Sequence, residues 1–439
     1  MDTKKINAKM ISLYFFGFLL LNMPNLKYCI GLNNYIVVGM VMSLFMLKYV
    51  VSDKKFFGFL KKKYVVYYII FLLISVAYYA IRTLFAGTGL TDFQNMRLLQ
   101  NSMPIFYLLG ALILNYELNK LNYSTKDKFK FIIKVALIQS LLCIMMYIIP
   151  SFKKVAENIF YSANNKKYNI YISRNRLYGI CDGDYTYGFQ ILYAMISTLS
   201  ICFAYFYKES KYYAVAILFL LVTFSNGRSG IMIFLSNMIV FLIVLVVRKG
   251  QIVKAVKILL ISSLIGFCIY NFIYRYMPNA AALITHAVTD ITSFSDGKSD
   301  TETGRLAEMF IFPKGIKLVF GEGYRVLGKK GSAYGQTQSS DIGIVNDLYM
   351  GGLVYVAILY GIHLYLYKVA KKKSDKKSME NVFLPLCLIS VAFANIKGEF
   401  FRDTLLQQFI FIVIVFTLFS KEENSKDERG LNISGSANI

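Results

Sequence analysis

The chain has no tryptophan, two histidines and six prolines in 439 residues. Without tryptophan, any aromatic belt at a membrane surface falls to the 34 tyrosines. His286 has no metal-ligand partner near it in sequence. His363 lies inside an apolar run, where a hydrogen-bonded buried role fits better than catalysis. The six cysteines form no Cys-x-x-Cys pair and no Cys/His spacing suited to zinc. Four fall in apolar runs and act as small hydrophobes, whereas Cys29 and Cys181 fall in polar connections and are the one pair open to a disulfide. No P-loop, zinc motif or nucleophile elbow is present, so ATP-driven transport by this chain alone is not expected. Gly321-Glu322-Gly323 lacks the strand–turn–helix setting of a dinucleotide fingerprint. Acidic residues are also scarce, 25 against 49 Lys and Arg, for a net charge of +24. In a soluble protein that excess would suggest nucleic acid. Here most of it sits in short connections between apolar runs, where the positive-inside rule accounts for it.

What the chain has in quantity is apolar sequence, 56% of residues, with mean hydropathy +0.50. The expected fold is an all-α polytopic membrane protein of about twelve transmembrane helices with a large external loop carrying short amphipathic helices. Spans are expected near 10–25, 34–52, 64–83, 103–117, 130–150, 185–207, 212–225, 230–247, 256–275, 343–367, 381–397 and 404–420. The first follows Lys4, Lys5 and Lys9 without a small-residue cleavage site, which reads as a retained helix. Residues 1–275 form an N-terminal transmembrane bundle with an outer loop at 151–184. The external loop is 276–342, the C-terminal helices are 343–420, and 421–439 is a polar cytoplasmic tail expected to be disordered. Lysine clusters at 54–63, 120–130, 208–211, 248–257 and 368–377 fall on one side if the spans alternate, together with both termini. That side is cytoplasmic.

The opposite connections include two long basic loops, which runs against that bias and suggests an anionic ligand. Arg228 lies in Ser225-Asn226-Gly227-Arg228-Ser229-Gly230, a polar turn between two apolar runs. Its guanidinium fork suits a phosphate, or equally a helix end reaching to headgroups. Arg305 is open to a second phosphate contact or to a pair with Glu308 one turn on. Arg174 and Arg176 precede a span, Arg325 follows the Gly321–Gly323 turn, and Asp341 opens the tenth span, where it either caps the helix or orients a hydroxyl. Glu399 and Arg402 read as an ion pair in the last outer turn. Residues 305–312 read as a short amphipathic helix broken at Pro313.

Together these segments resemble the O-antigen polymerase and ligase superfamily of bacterial membrane glycosyltransferases. Residues 221–230 resemble its core motif. Gly304-Arg305 with Phe320-Gly321-Glu322-Gly323 is similar to its second segment. Ser340-Asp341-Ile342-Gly343 with Gly351-Gly352-Leu353 is similar to its third. The resemblance covers about residues 170–370. It implies ten to fourteen helices and metal-independent chemistry on undecaprenyl diphosphate-linked sugars, with no cofactor. Arg228 and Arg305 match the arginines that hold the diphosphate, and Arg174, Arg176 and Arg325 are expected to contact substrate. Ligases of the family place a histidine where the third segment begins; this chain has Asp341 nearby instead, which favours a polymerase of O-antigen or capsule. A ligase that moves finished glycan is the alternative, and a flippase of lipid-linked oligosaccharide comes third. Expected partners are the undecaprenyl diphosphate-linked oligosaccharide, membrane lipid and a chain-length regulator protein, with no nucleic acid. The expected location is the bacterial cytoplasmic membrane, with the active site facing outward.

Overall fold

Inside a bilayer every backbone N–H and C=O must be bonded within the chain, so long apolar runs form helices. The computed structural model describes residues 3–24, 41–44, 48–49, 53–85, 92–160, 176–181, 188–250, 252–276, 281, 285, 308–326, 340–396, 398–402 and 404–420. Among them every regular element is helical. In chain order they are α1 (Thr3–Asn22), α2 (Lys54–Leu60), α3 (Lys63–Phe85), α4 (Asp92–Lys120), α5 (Thr125–Ile148), α6 (Pro150–Phe160), α7 (Gly188–Tyr207), α8 (Lys211–Phe224), α9 (Arg228–Lys249), α10 (Ile252–Tyr276), α11 (Ile316–Phe320), α12 (Gly343–Lys373), α13 (Met379–Ala394) and α14 (Leu405–Leu418). Six of these, α3, α4, α5, α7, α9 and α12, are long and apolar enough to cross a membrane. α1, α8, α13 and α14 carry shorter apolar stretches. The protein is thus an all-helical, membrane-embedded bundle.

Local signals explain the ends. Ser124 and Asp127 form a reciprocal capping box on α5. Ser378 caps α13 and Thr404 caps α14 through side-chain oxygens. Two short helices stand where the sequence suggested plain connections. α2 is capped by Asp53, and α6 opens on Pro150, whose fixed φ suits a first helical position. The expected helix at 305–312 does not continue to its end: residues 310–314 are not helical, and the helical turn comes after the Pro313 break, as α11. The expected span at 34–52 lies largely outside the described residues, as do His286 and the tail at 421–439.

The helices share two poles. Lys9 pairs with Glu117, Lys120 with Asp53, and Lys126 with Glu209. Lys373 reaches the Tyr64 hydroxyl and the carbonyl oxygen of Leu418. We call this end the lysine pole. The opposite end of the bundle carries Arg82 at the end of α3, Arg228 at the start of α9, and Arg176, Arg325 and Arg402 in the connections, and forms the arginine pole. Through the middle runs α14, every residue of which is buried. Such a helix is the axis of a bundle and touches little lipid. His363 is saturated, with Nε2 3.1 Å from the Tyr68 hydroxyl and Nδ1 2.7 Å from the carbonyl oxygen of Leu359. Cys181 is buried, and its expected disulfide partner Cys29 lies outside the described residues.

Candidate functional site at the arginine pole

The Ser225–Gly230 turn is built around Asn226, which is fully buried. Its Nδ2 donates to the carbonyl oxygens of Leu177 (2.8 Å) and Val222 (2.7 Å), and its Oδ1 accepts from the Leu177 N–H at 2.8 Å. One carboxamide thus imitates a strand partner for Leu177 and holds it against the turn. On the other side, Gln139 of α5 donates to the carbonyl oxygen of Tyr178 at 2.6 Å and accepts from the N–H of Ile180 at 3.2 Å. The short segment 176–181 is therefore clamped between α5 and the α8–α9 turn. The clamp sets Arg176, next to Leu177, close to the start of α9, where Arg228 is the first residue. Arg176 donates from Nη1 to the Tyr178 hydroxyl at 2.9 Å.

The glycines of the turn have a packing reason. A Cβ on Gly227 would collide with the side chain of Gln190, and one on Gly230 with that residue's backbone and with Thr223. α7 can lie flush against the start of α9 only because these two residues carry no side chain.

The second and third segments also meet. α12 breaks at Gly352, where φ is +69°. Gly321 packs on the backbone of Gly351 and Gly352, and the amides of Glu322 (2.6 Å) and Gly323 (3.2 Å) donate to the carbonyl oxygen of Tyr349. The last turn of α3 grips the other side of the Gly321–Gly323 turn. Tyr78 donates to the carbonyl oxygen of Phe320, Arg82 to Gly321 at 2.7 Å, and Thr83 to Gly323. Glu322 accepts from Lys317 and Tyr324. Burial, then the bond to Glu322, pushes the Tyr324 phenol above its ordinary range.

Beneath this turn lies a buried ionic quartet. Arg325 pairs with Glu399 at 2.5 Å, Glu399 with Arg402 at 2.7 Å, and Arg402 with Asp347. Tyr355 accepts from Arg402 Nε at 3.2 Å, and Tyr360 donates to Asp347 at 2.6 Å. Arg402 is 2% exposed and Asp347 1%. Burial at this depth is tolerated only because two cations face two anions and hydroxyls fill in. The expected Glu399–Arg402 pair is thus part of a larger unit. Asp347 was missed, although an acid inside an apolar run is a functional signal by default.

Of the expected site residues, Arg176, Arg228, Arg325 and Asp341 belong to the arginine pole. Arg325 spends its charge on Glu399. Exposed Asp341 stands two residues before α12, whose N-cap position is Ile342. Arg174 and Arg305 lie outside the described residues, as does the side chain of Arg228. α9 and α13 are joined by a bond from Asn237 to Ser390 at 2.9 Å, so the start of α9 and the end of α13, with the quartet's Glu399 just beyond it, stand over neighbouring helices. The pole thus combines clamped backbone, guanidinium groups and carboxylates in one polar zone. No family model, curated protein or solved structure matches this chain.

Proposed function

We propose that this chain is a membrane glycosyltransferase of the O-antigen polymerase type, which lengthens a bacterial surface polysaccharide, O-antigen or capsule. The growing glycan on undecaprenyl diphosphate is the donor, and the terminal hydroxyl of a lipid-linked repeat unit is the acceptor. The chain crosses the cytoplasmic membrane about twelve times, with the shorter apolar helices and the 34–52 stretch included. By the positive-inside rule the lysine pole and both termini are cytoplasmic, and the arginine pole faces outward.

One observation carries this reading. The Asn226 clamp, which sets Arg176 beside the start of α9, belongs to the same pole as the docked Gly321 and Gly351 turns. The described parts of three segments that resemble family motifs, far apart in the chain, therefore share one end of the bundle. In the reaction, the acceptor hydroxyl attacks the anomeric carbon and the bond from that carbon to the diphosphate oxygen breaks. Charge grows on the departing diphosphate, where Arg228 and Arg305 are assigned to meet it. The hydroxyl proton passes to Asp341 or to water. No metal step is needed for a leaving group that is already stable.

Losing one such charge-stabilising donor costs about 10²–10³ in rate. The test uses purified protein in proteoliposomes with lipid-linked repeat units, and product length read on a gel. Arg228→Ala and Arg228→Lys should each abolish the ladder, since a point charge lacks the fork. A normal long ladder from both variants rejects the assignment.

A further inference from the structure

The donors of this site have been assigned, but two buried acceptors beside it have no role. Gln190 is 1% exposed and lies in the first turn of α7, against Gly227. Gln408 is 0% exposed and lies in the first turn of α14. Among the described residues, no donor reaches Oε1 of either side chain.

The two sit around one corner of the chain. Tyr193, one turn after Gln190, donates to Oδ1 of Asn22 at 3.1 Å. Gln408 contacts the sulfur of Met23, the next residue, and Tyr107 reaches that sulfur as well. α7 and α14 pack against each other. A buried carbonyl left without a donor costs about 1–3 kcal/mol, and leucine or methionine in the same space would avoid that cost. Two such costs on packed helices, that of Gln190 beside the turn that carries Arg228, mark a site arranged for something other than stability.

We infer that Gln190 and Gln408 hold the sugar next to the diphosphate by accepting hydrogen bonds from its hydroxyl or acetamido N–H groups. The inference rests on the glycosyl-transfer reading and adds the sugar-binding side of the same site. Neutral acceptors demand donors, so they favour a neutral, hydroxyl-rich sugar and disfavour a uronic acid, whose carboxylate would face two carbonyl oxygens. A site built to bond such donors rejects analogues lacking them strongly, because its own acceptors are then stranded.

Gln190→Met and Gln408→Met keep the volume and delete the acceptor. The probes are undecaprenyl diphosphate with one repeat unit and undecaprenyl diphosphate without sugar, each titrated into the full-length protein in nanodiscs. Each variant should bind the glycan-bearing lipid at least tenfold more weakly and the bare lipid unchanged. Each should also raise the thermal midpoint of the ligand-free protein, which a purely structural glutamine would lower. Gln190→Glu keeps acceptor oxygens in the same shape and should retain most glycan affinity, which guards against misfolding of the methionine variants. An unchanged preference for the glycan-bearing lipid, or a lowered midpoint with both lipids weakened alike, overturns the inference and leaves the glycosyl-transfer reading standing. Wild-type protein that binds neither lipid overturns that reading and this inference with it.

Discussion

Asn226→Leu tests the clamp on which the candidate site depends. The substitution keeps the side-chain size but removes both bonds to Leu177 and one of the two bonds to the carbonyl oxygen of Val222. The Val222 oxygen keeps the Ser225 hydroxyl at 3.0 Å, so it is not orphaned. The N–H and C=O of Leu177 are. Two stranded buried backbone groups cost about 1–3 kcal/mol each, or about 4 kcal/mol for the pair. That energy is released locally, because the segment 176–181 is otherwise held mainly by Gln139. Cys181, buried at the end of the segment, reports the opening. With Cys29 and Cys268 replaced by serine, maleimide should label Cys181 about 10³-fold faster in the variant, since every 1.4 kcal/mol is a factor of ten. Labelling as slow as in the parent protein would show that the clamp carries no such energy and refute the reasoning.

Other perturbations follow from the same geometry. Arg402→Met strands Asp347 and half of Glu399, and should lower stability by about 3–5 kcal/mol in chemical or thermal melts. Adding Asp347→Leu should recover part of the loss. Gly352→Ala should prevent the turn from docking, because φ is +69° and a Cβ would meet Val319 and Gly321 backbone; the readout is loss of the monodisperse peak in size exclusion. At the lysine pole, hydrogen bonds from Tyr116 and then Lys120 hold Asp53 down to about 2, against an ordinary 3.8. A lowered folded value means that its contribution is complete above about pH 4 and is lost as pH falls toward about 2. Acid melts should show this window, and Asp53→Asn should flatten it.

The apolar runs and lysine clusters were legible because period and charge are local properties. Lys120, Lys126, Lys211 and Lys373 do gather at one end. The arginine turn was legible as a turn, but its builder was not: Asn226 does the structural holding through a residue in another loop, which no local pattern shows. Arg325 looked like a free cation because Glu399 is remote in sequence, and a pairing of that kind leaves no periodic trace. The role of Gly227 and Gly230 depends on Gln190, which lies on a different helix. The helix expected at 305–312 followed an amphipathic spacing, yet residues 310–314 are not helical and α11 forms only beyond the Pro313-Lys314-Gly315 break.

The wholly enclosed α14 has a bearing on biogenesis. At 14 residues it is about 21 Å long, short of the about 30 Å of hydrocarbon that a solitary segment would have to cross. Its place is defined by the wall of helices made before it, so it should enter the membrane as a late guest, received by a half-finished barrel of neighbours. A ribosome halted at residue 404 would leave a ring without its spindle, a ready substrate for quality-control proteases.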